Sequence, residues 1–214
     1  VYEFIPKPGE PYDQVPNLVK RHEHDIVNFY IGTARGNAMW DLTWVYASKP
    51  MIPRGPDGSF DKDMILPASS IVTHRDLHWI YYSGANERHG TPDVSFPRES
   101  FIGVATLPLD RFIGLAATGE ETGQIVTRRF PLQGNRLQLN VAAPEGSILV
   151  EVLNAAGEPL PGFSGRTSRP SLRVDELRHQ PRWKEKTLAS LQGQTIRLRF
   201  TLQKATLYSF QVLR

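Results

Sequence analysis

Three carboxylates and one imidazole are the groups in this sequence best placed to do chemistry. Asp61 lies in Ser59-Phe60-Asp61-Lys62-Asp63-Met64, between apolar neighbours, and Asp25 stands in a comparable position before Ile26-Val27. Glu87 belongs to a polar stretch, Asn86-Glu87-Arg88-His89, that follows the aromatic pair Tyr81-Tyr82. Hydrolysis of a glycoside uses two carboxyl groups, one protonated and one ionised, about 5–9.5 Å apart. Apolar neighbours raise a carboxyl pKa by desolvation, which suits the protonated member. Asp61, Asp25 and Glu87 are therefore the candidate catalytic groups. Asp63 reads as a turn aspartate that accepts from backbone N–H groups, and Asp61 admits either role.

His89 and Arg88 could hydrogen-bond sugar hydroxyls, although a lone loop imidazole is more often simply solvated. Trp40 and Tyr82 are the aromatic candidates for stacking on a pyranose ring, whose C–H face matches an aromatic plane. Trp44 with Tyr46 and Trp79 with Tyr81 read instead as core, because buried rings stabilise sheets. His22-x-His24 puts two imidazoles on one side of an extended segment, but no third ligand follows nearby. No metal and no other cofactor is expected. His74, His78 and His179 read as structural. Phosphate-loop, dinucleotide-glycine and nucleophile-elbow patterns are absent.

The elements that must position these groups read as strands. Asp41-Leu42-Thr43-Trp44-Val45-Tyr46-Ala47-Ser48 recurs as Asp76-Leu77-His78-Trp79-Ile80-Tyr81-Tyr82-Ser83, 35 residues later. Both copies alternate with the period of a strand. Strand-like runs precede each, Ile26 to Gly32 and Ser70 to Thr73, and a third run spans Phe101 to Leu107 before a Pro108–Arg111 turn. Repeated antiparallel units suggest propeller-like blades, and two hairpins of one sheet would give the same pattern.

Beyond residue 125 the alternation is plainer: Leu137, Leu139, Val141; Ile148, Val150, Val152; Ile196, Leu198, Phe200, Leu202; then Tyr208, Phe210, Val212. Turns are expected at Pro144-Glu145-Gly146, at Asn154 to Gly157 and at Gln192-Gly193-Gln194, with one helical turn over Thr187–Gln192. The expected fold class is all-β, with partial propeller-like antiparallel blades followed by a β-sandwich. The expected division is an extended Pro-rich arm at 1–24, propeller-like repeats at 25–124 and the sandwich at 125–214.

Composition sets outer limits. The 214 residues are 40% hydrophobic and 22% charged, which suits a globular chain. No apolar run approaches the roughly 20 residues of a membrane-spanning helix, so no membrane partner is expected. No basic-then-apolar leader opens the chain, so a signal peptide is expected to be absent or removed. With no cysteine, disulfide and thiolate chemistry are excluded. The net charge of +3 concentrates in Arg166, Arg169, Arg173, Arg178, Arg182, Lys184 and Lys186. Asp175, Glu176 and Glu185 interrupt this cluster, so it reads as a solvated loop and not a nucleic-acid site.

Several stretches resemble a group of bacterial five-bladed β-propeller proteins related to the arabinanase, invertase and mannoside-phosphorylase superfamily. Met51 to Asp61 looks like their inter-blade loop. Leu77 to Gly84 and Phe101 to Leu115 resemble the closing blade, and Leu137 to Val141, Val150 to Phe163 and Leu188 to Phe210 resemble the following sandwich. The resemblance runs from near residue 44 onward. It implies a glycoside hydrolase-like protein acting on an oligo- or polysaccharide, with the loop carrying His89 facing a central cavity. A full propeller takes on the order of 200 residues before the sandwich. Only about half of that is present, and the early-blade carboxylates of that superfamily have no counterpart. A fragment, one piece of a split protein and a domain completed by oligomerisation all fit. The expected partners are a carbohydrate ligand and either further copies of the chain or a separate propeller half. The alternative function is a non-catalytic carbohydrate-binding or partner-docking β module.

Overall fold

The computed structural model describes residues 1–4, 25–36, 38–89, 97–184 and 186–214. The fold is all-β as expected, with 51% of the described residues in strands and 6% in helix. The chain divides into two compact units, Val1–Thr106 and Leu107–Arg214. The boundary expected after residue 124 falls within a strand of the second unit, Gly123–Val126. Most of the Pro-rich arm, with His22 and His24, lies outside the described residues.

The first unit holds one six-stranded sheet. Its strands are β1 (Tyr2–Phe4), β2 (Asp25–Val27), β3 (Met64–Pro67), β4 (Val72–His74), β5 (Leu77–Ala85) and β6 (Ser100–Pro108). β1 pairs antiparallel with β2, so the start of the expected extended arm is part of the sheet. β5 is the hub and pairs with β3, β4 and β6. The β4–β5 hairpin turns on Arg75 (φ 50°) and Asp76 (φ 62°), the double positive φ of a two-residue turn that matches strand twist.

The apparent repeat divides here. Its second copy is this turn and β5, whereas its first copy folds into a helical turn, α1 (Thr43–Tyr46). Thr43 marks the difference, standing where the second copy has His78: its N–H donates to Asp41 Oδ1 at 3.0 Å and its hydroxyl at 2.6 Å. That local bond competes with an extended backbone and bends it.

The aromatic faces also reverse. In β5 His78, Ile80 and Ala85 are buried, while Tyr81 is exposed and Trp79 half-buried. Tyr46, expected in the core, is 84% exposed. His78 is structural as expected, its Nδ1 lying 2.8 Å from the Thr73 hydroxyl.

The second unit is built on one seven-stranded sheet that is nearly closed and barrel-like. Its strands are β7 (Leu115–Ala117), β8 (Gly123–Val126), β9 (Phe130–Pro131), β10 (Arg136–Asn154), β12 (Ser171–His179), β14 (Thr195–Gln203) and β15 (Ala205–Leu213). β11 (Ser168–Arg169) and β13 (Arg182–Trp183) form a separate ladder. β10 pairs with β15 through residues 136–142 and with β14 through residues 147–154, so one strand joins two parts of the sheet.

The turn expected at Pro144-Glu145-Gly146 is therefore a bend within β10, where its register with β12 shifts between Ala143 and Ser147. Gly146 allows it: any Cβ there would collide with the backbone carbonyls of Gln203 and Lys204. Leu137, Leu139, Val141, Ile148, Val150 and Val152 from β10 meet Ile196, Leu198, Phe200 and Leu202 from β14 in the core. The alternation of β15 breaks at Tyr208, an extra residue between the pairs Asn140–Ser209 and Val141–Leu207. The Asn154–Gly157 turn forms as expected, with Gly157 at φ 96°. The helical turn also forms, as a 3-10 turn over Leu188–Leu191.

Candidate functional site

Asp61 is placed by glycines. It ends the loop from Ile52 and lies three residues before β3, where it is buried to 8% exposure. The Tyr82 hydroxyl donates to Asp61 Oδ2 at 2.9 Å. Gly84, two residues further along β5, leaves the space that Asp61 and the Phe60 ring fill. Gly55 does the same on another side, where an added Cβ would collide with Asp61 Oδ1 and Ser59. Gly103 of β6 accommodates the Tyr82 ring. Phe60 stacks on Tyr82, with centroids 6.4 Å apart and planes at 10°, and meets Phe101 edge-on at 5.7 Å. Burial, and then the Asp61 carboxyl that accepts from it, raises the Tyr82 pKa above its ordinary value.

Strand directions gather the three candidate carboxylates at one end of the sheet. Asp25 opens β2, Asp61 precedes β3, and Glu87 follows β5; β2 runs parallel to β3, and β5 antiparallel to it. Backbone bonds tie this end together. Val27 N–H donates to Asp63 O at 3.0 Å, Asp63 N–H to Ala85 O at 3.2 Å, and His89 N–H to Asp25 O at 2.9 Å.

The side chains have separate neighbours. Glu87 Oε2 lies 2.8 Å from Arg98 Nε in a charge contact without a well-aligned hydrogen bond. His89 is exposed, and its ring meets the edge of Tyr2 at 4.8 Å between centroids. Arg88 is half-buried. Asp63 is buried and ion-paired with Lys62. Asp61 and Tyr82, both candidates, are joined by a side-chain hydrogen bond.

Trp40 stands elsewhere in the unit and is 68% exposed. Thr33 and Asp41 exchange both backbone hydrogen bonds, at 3.1 and 2.7 Å, immediately beside it. Gly32 lies under the Trp40 ring, and an added Cβ there would stand 3.5 Å from Trp40 Cε3. Met39 and Tyr46 are exposed on the same stretch.

Other half-buried polar groups have no motif to mark them. Arg54 Nε donates to Asn28 Oδ1 at 3.1 Å, and its Nη1 donates to Lys62 O, so it braces the Asp61 loop. The Tyr30 hydroxyl donates to Glu3 across the chain. Burial, and then the Glu3 carboxylate, pushes its pKa up to about 12. Among the described residues no three His, Asp or Glu side chains group to hold a metal ion.

No protein-family model, curated protein or solved structure matches this chain.

Proposed function

We propose that this chain is a carbohydrate-binding β module without hydrolytic activity of its own, and that Trp40 and Tyr46 supply its aromatic contacts. The observation that carries this reading is the exposure of Trp40 on a backbone pinned by Thr33 and Asp41. An indole presented to solvent from a fixed segment loses little freedom when a sugar ring stacks on it. Exposed Trp and Tyr are also the side chains that most often dominate recognition energies.

The surroundings of Asp61 support the same choice. A general acid must reach the glycosidic oxygen directly or through one water. Asp61 is enclosed by Gly55, Gly84 and Phe60, and one of its oxygens already accepts from Tyr82. In this reading it holds the loop and does not turn over substrate.

The second reading, a glycoside hydrolase-like enzyme, is favoured by the gathering of Asp25, Asp61 and Glu87 at one sheet end. A screen of glycan hydrolysis by mass spectrometry, run beside Asp61→Asn, separates the two. The binding module leaves every glycan intact. Products formed by the wild type and lost in Asp61→Asn would establish the enzyme instead.

A further inference from the structure

The basic segment that reads as a solvated loop is a curled ribbon around a groove. β12 begins at Ser171 and ends at His179, yet Ser171 Oγ and His179 Nε2 lie 2.7 Å apart. An extended strand of that length would separate its ends by more than about 25 Å. The curl follows the bend in β10 at Ala143–Ser147, with which β12 pairs, and Arg173 takes φ 52° within it. Its consequence is to bring together the segments flanking its two ends, β11 before Ser171 and β13 after His179, which pair as a ladder beside Arg178.

In that ladder Arg169 is paired directly opposite Arg182. Like charges directly opposed on neighbouring strands destabilise the pairing. Neither arginine makes an ion pair among the described residues. Arg169, Arg178 and Arg182 line one groove of about 500 Å³. Glu176 is the one acid among the described residues of its lining, and its Oε2 is held 3.1 Å from His179 Nδ1. The carboxylate, imidazole and Ser171 hydroxyl thus engage one another, while the guanidinium charge of Arg169 and Arg182 has no counterion among the described residues.

We infer that this groove binds a tetrahedral oxyanion, a phosphate or sulfate group, either free or as the monoester of a larger molecule. Guanidinium groups present paired N–H donors that match such oxygens and keep their charge at any physiological pH. A doubly charged anion between Arg169 and Arg182 removes their repulsion, so ligand and fold stabilise each other. This site lies in the second unit and does not depend on the carbohydrate reading.

The test is calorimetric titration of the whole chain, at constant ionic strength, with inorganic phosphate, inorganic sulfate, glucose 6-phosphate and chloride. Thermal unfolding is followed in the same buffers. Saturable 1:1 binding of the oxyanions is expected, with a rise in Tm that chloride does not reproduce. Equal affinity for phosphate and glucose 6-phosphate identifies a free ion as sufficient, and tighter binding of the ester identifies an esterified ligand. The double variant Arg169→Ser/Arg182→Ser is expected to bind at least about tenfold more weakly, the loss of one charge-assisted hydrogen bond. It is also expected to have a higher Tm than the wild type in phosphate-free buffer, because the opposed charges are gone. Absence of saturable binding would overturn the inference. So would binding that chloride matches, or that the double variant retains in full.

Discussion

The Tyr82 hydroxyl donates to a carboxyl oxygen of Asp61 at 2.9 Å, joining the middle of β5 to the loop that enters β3. Removing the donor leaves a buried oxygen without it, a change that costs about 1–3 kcal/mol. Tyr82→Phe is expected to lose that much in urea unfolding with an unchanged m value. Asp61→Asn, which keeps a carbonyl acceptor, should lose less than Asp61→Ala. A Tyr82→Phe protein as stable as the wild type would show that this bond does not hold the loop.

Gly84 is required by its neighbours. Its added methyl group would stand 2.7 Å from the Phe60 ring and closer still to Asp61. Overpacking of this kind typically costs about 1–3 kcal/mol. Gly84→Ala is expected to lower the urea midpoint by a corresponding amount. Gly58→Ala should be milder, since that glycine has no neighbour to strike and only its φ of 90° to strain.

Tyr30 supplies a pH dependence with a defined sign. Its hydroxyl is pushed up to about 12 by burial and by Glu3, against about 10 for a free phenol. The folded chain therefore holds the proton more tightly than the unfolded chain. Its stabilising contribution is complete below pH ~10 and is lost as pH rises toward 12. Tyr30→Phe should flatten that alkaline loss. A loss of stability of the same steepness in Tyr30→Phe would assign it to other groups.

How much of this was legible in the sequence depended on where each element finds its partners. β14 could be read directly, because Ile196, Leu198, Phe200 and Leu202 face one core and their neighbours do not. α1 could not, since its strand-like alternation was overruled by two hydrogen bonds from Thr43 to Asp41. The alternation of β5 marks a strand but assigns its two faces the wrong way round. Which face is buried depends on Phe60 and Asp61, far earlier in the chain, packing against Gly84. Asp61 and Tyr82 stand out in the sequence separately, by residue type, and only the fold shows that they are bonded. The arginine groove was hidden because the curl of β12 follows from its pairing with a bent β10.

The exposed face of the first sheet predicts self-association. Gly103 faces the Tyr82 ring, so Ile102 and Val104 project to the opposite side with Tyr81, and Val72 lies opposite Trp79 on that side. Ile102 is 74% exposed, and Val72, Tyr81 and Val104 are exposed as well. Ile80, on the other face of β5, is buried in its own unit. Covering a large apolar side chain contributes about 1.5–3 kcal/mol. Light scattering at micromolar concentration should give a mass above the 24.1 kDa of one chain, and Ile102→Lys should return it to that value. A wild type of single-chain mass would exclude association through this face.

The most direct test of the central claim is affinity electrophoresis through gels containing soluble polysaccharides, with the wild type beside Trp40→Ala. Trp40 is exposed, so its removal should leave the unfolding midpoint within the small range typical of surface substitutions, about 0.5 kcal/mol. The account predicts that at least one polysaccharide retards the wild type, that Trp40→Ala abolishes the retardation, and that the polysaccharide is recovered undegraded. Retardation that persists undiminished in Trp40→Ala, or migration unaffected by every polysaccharide, would contradict it.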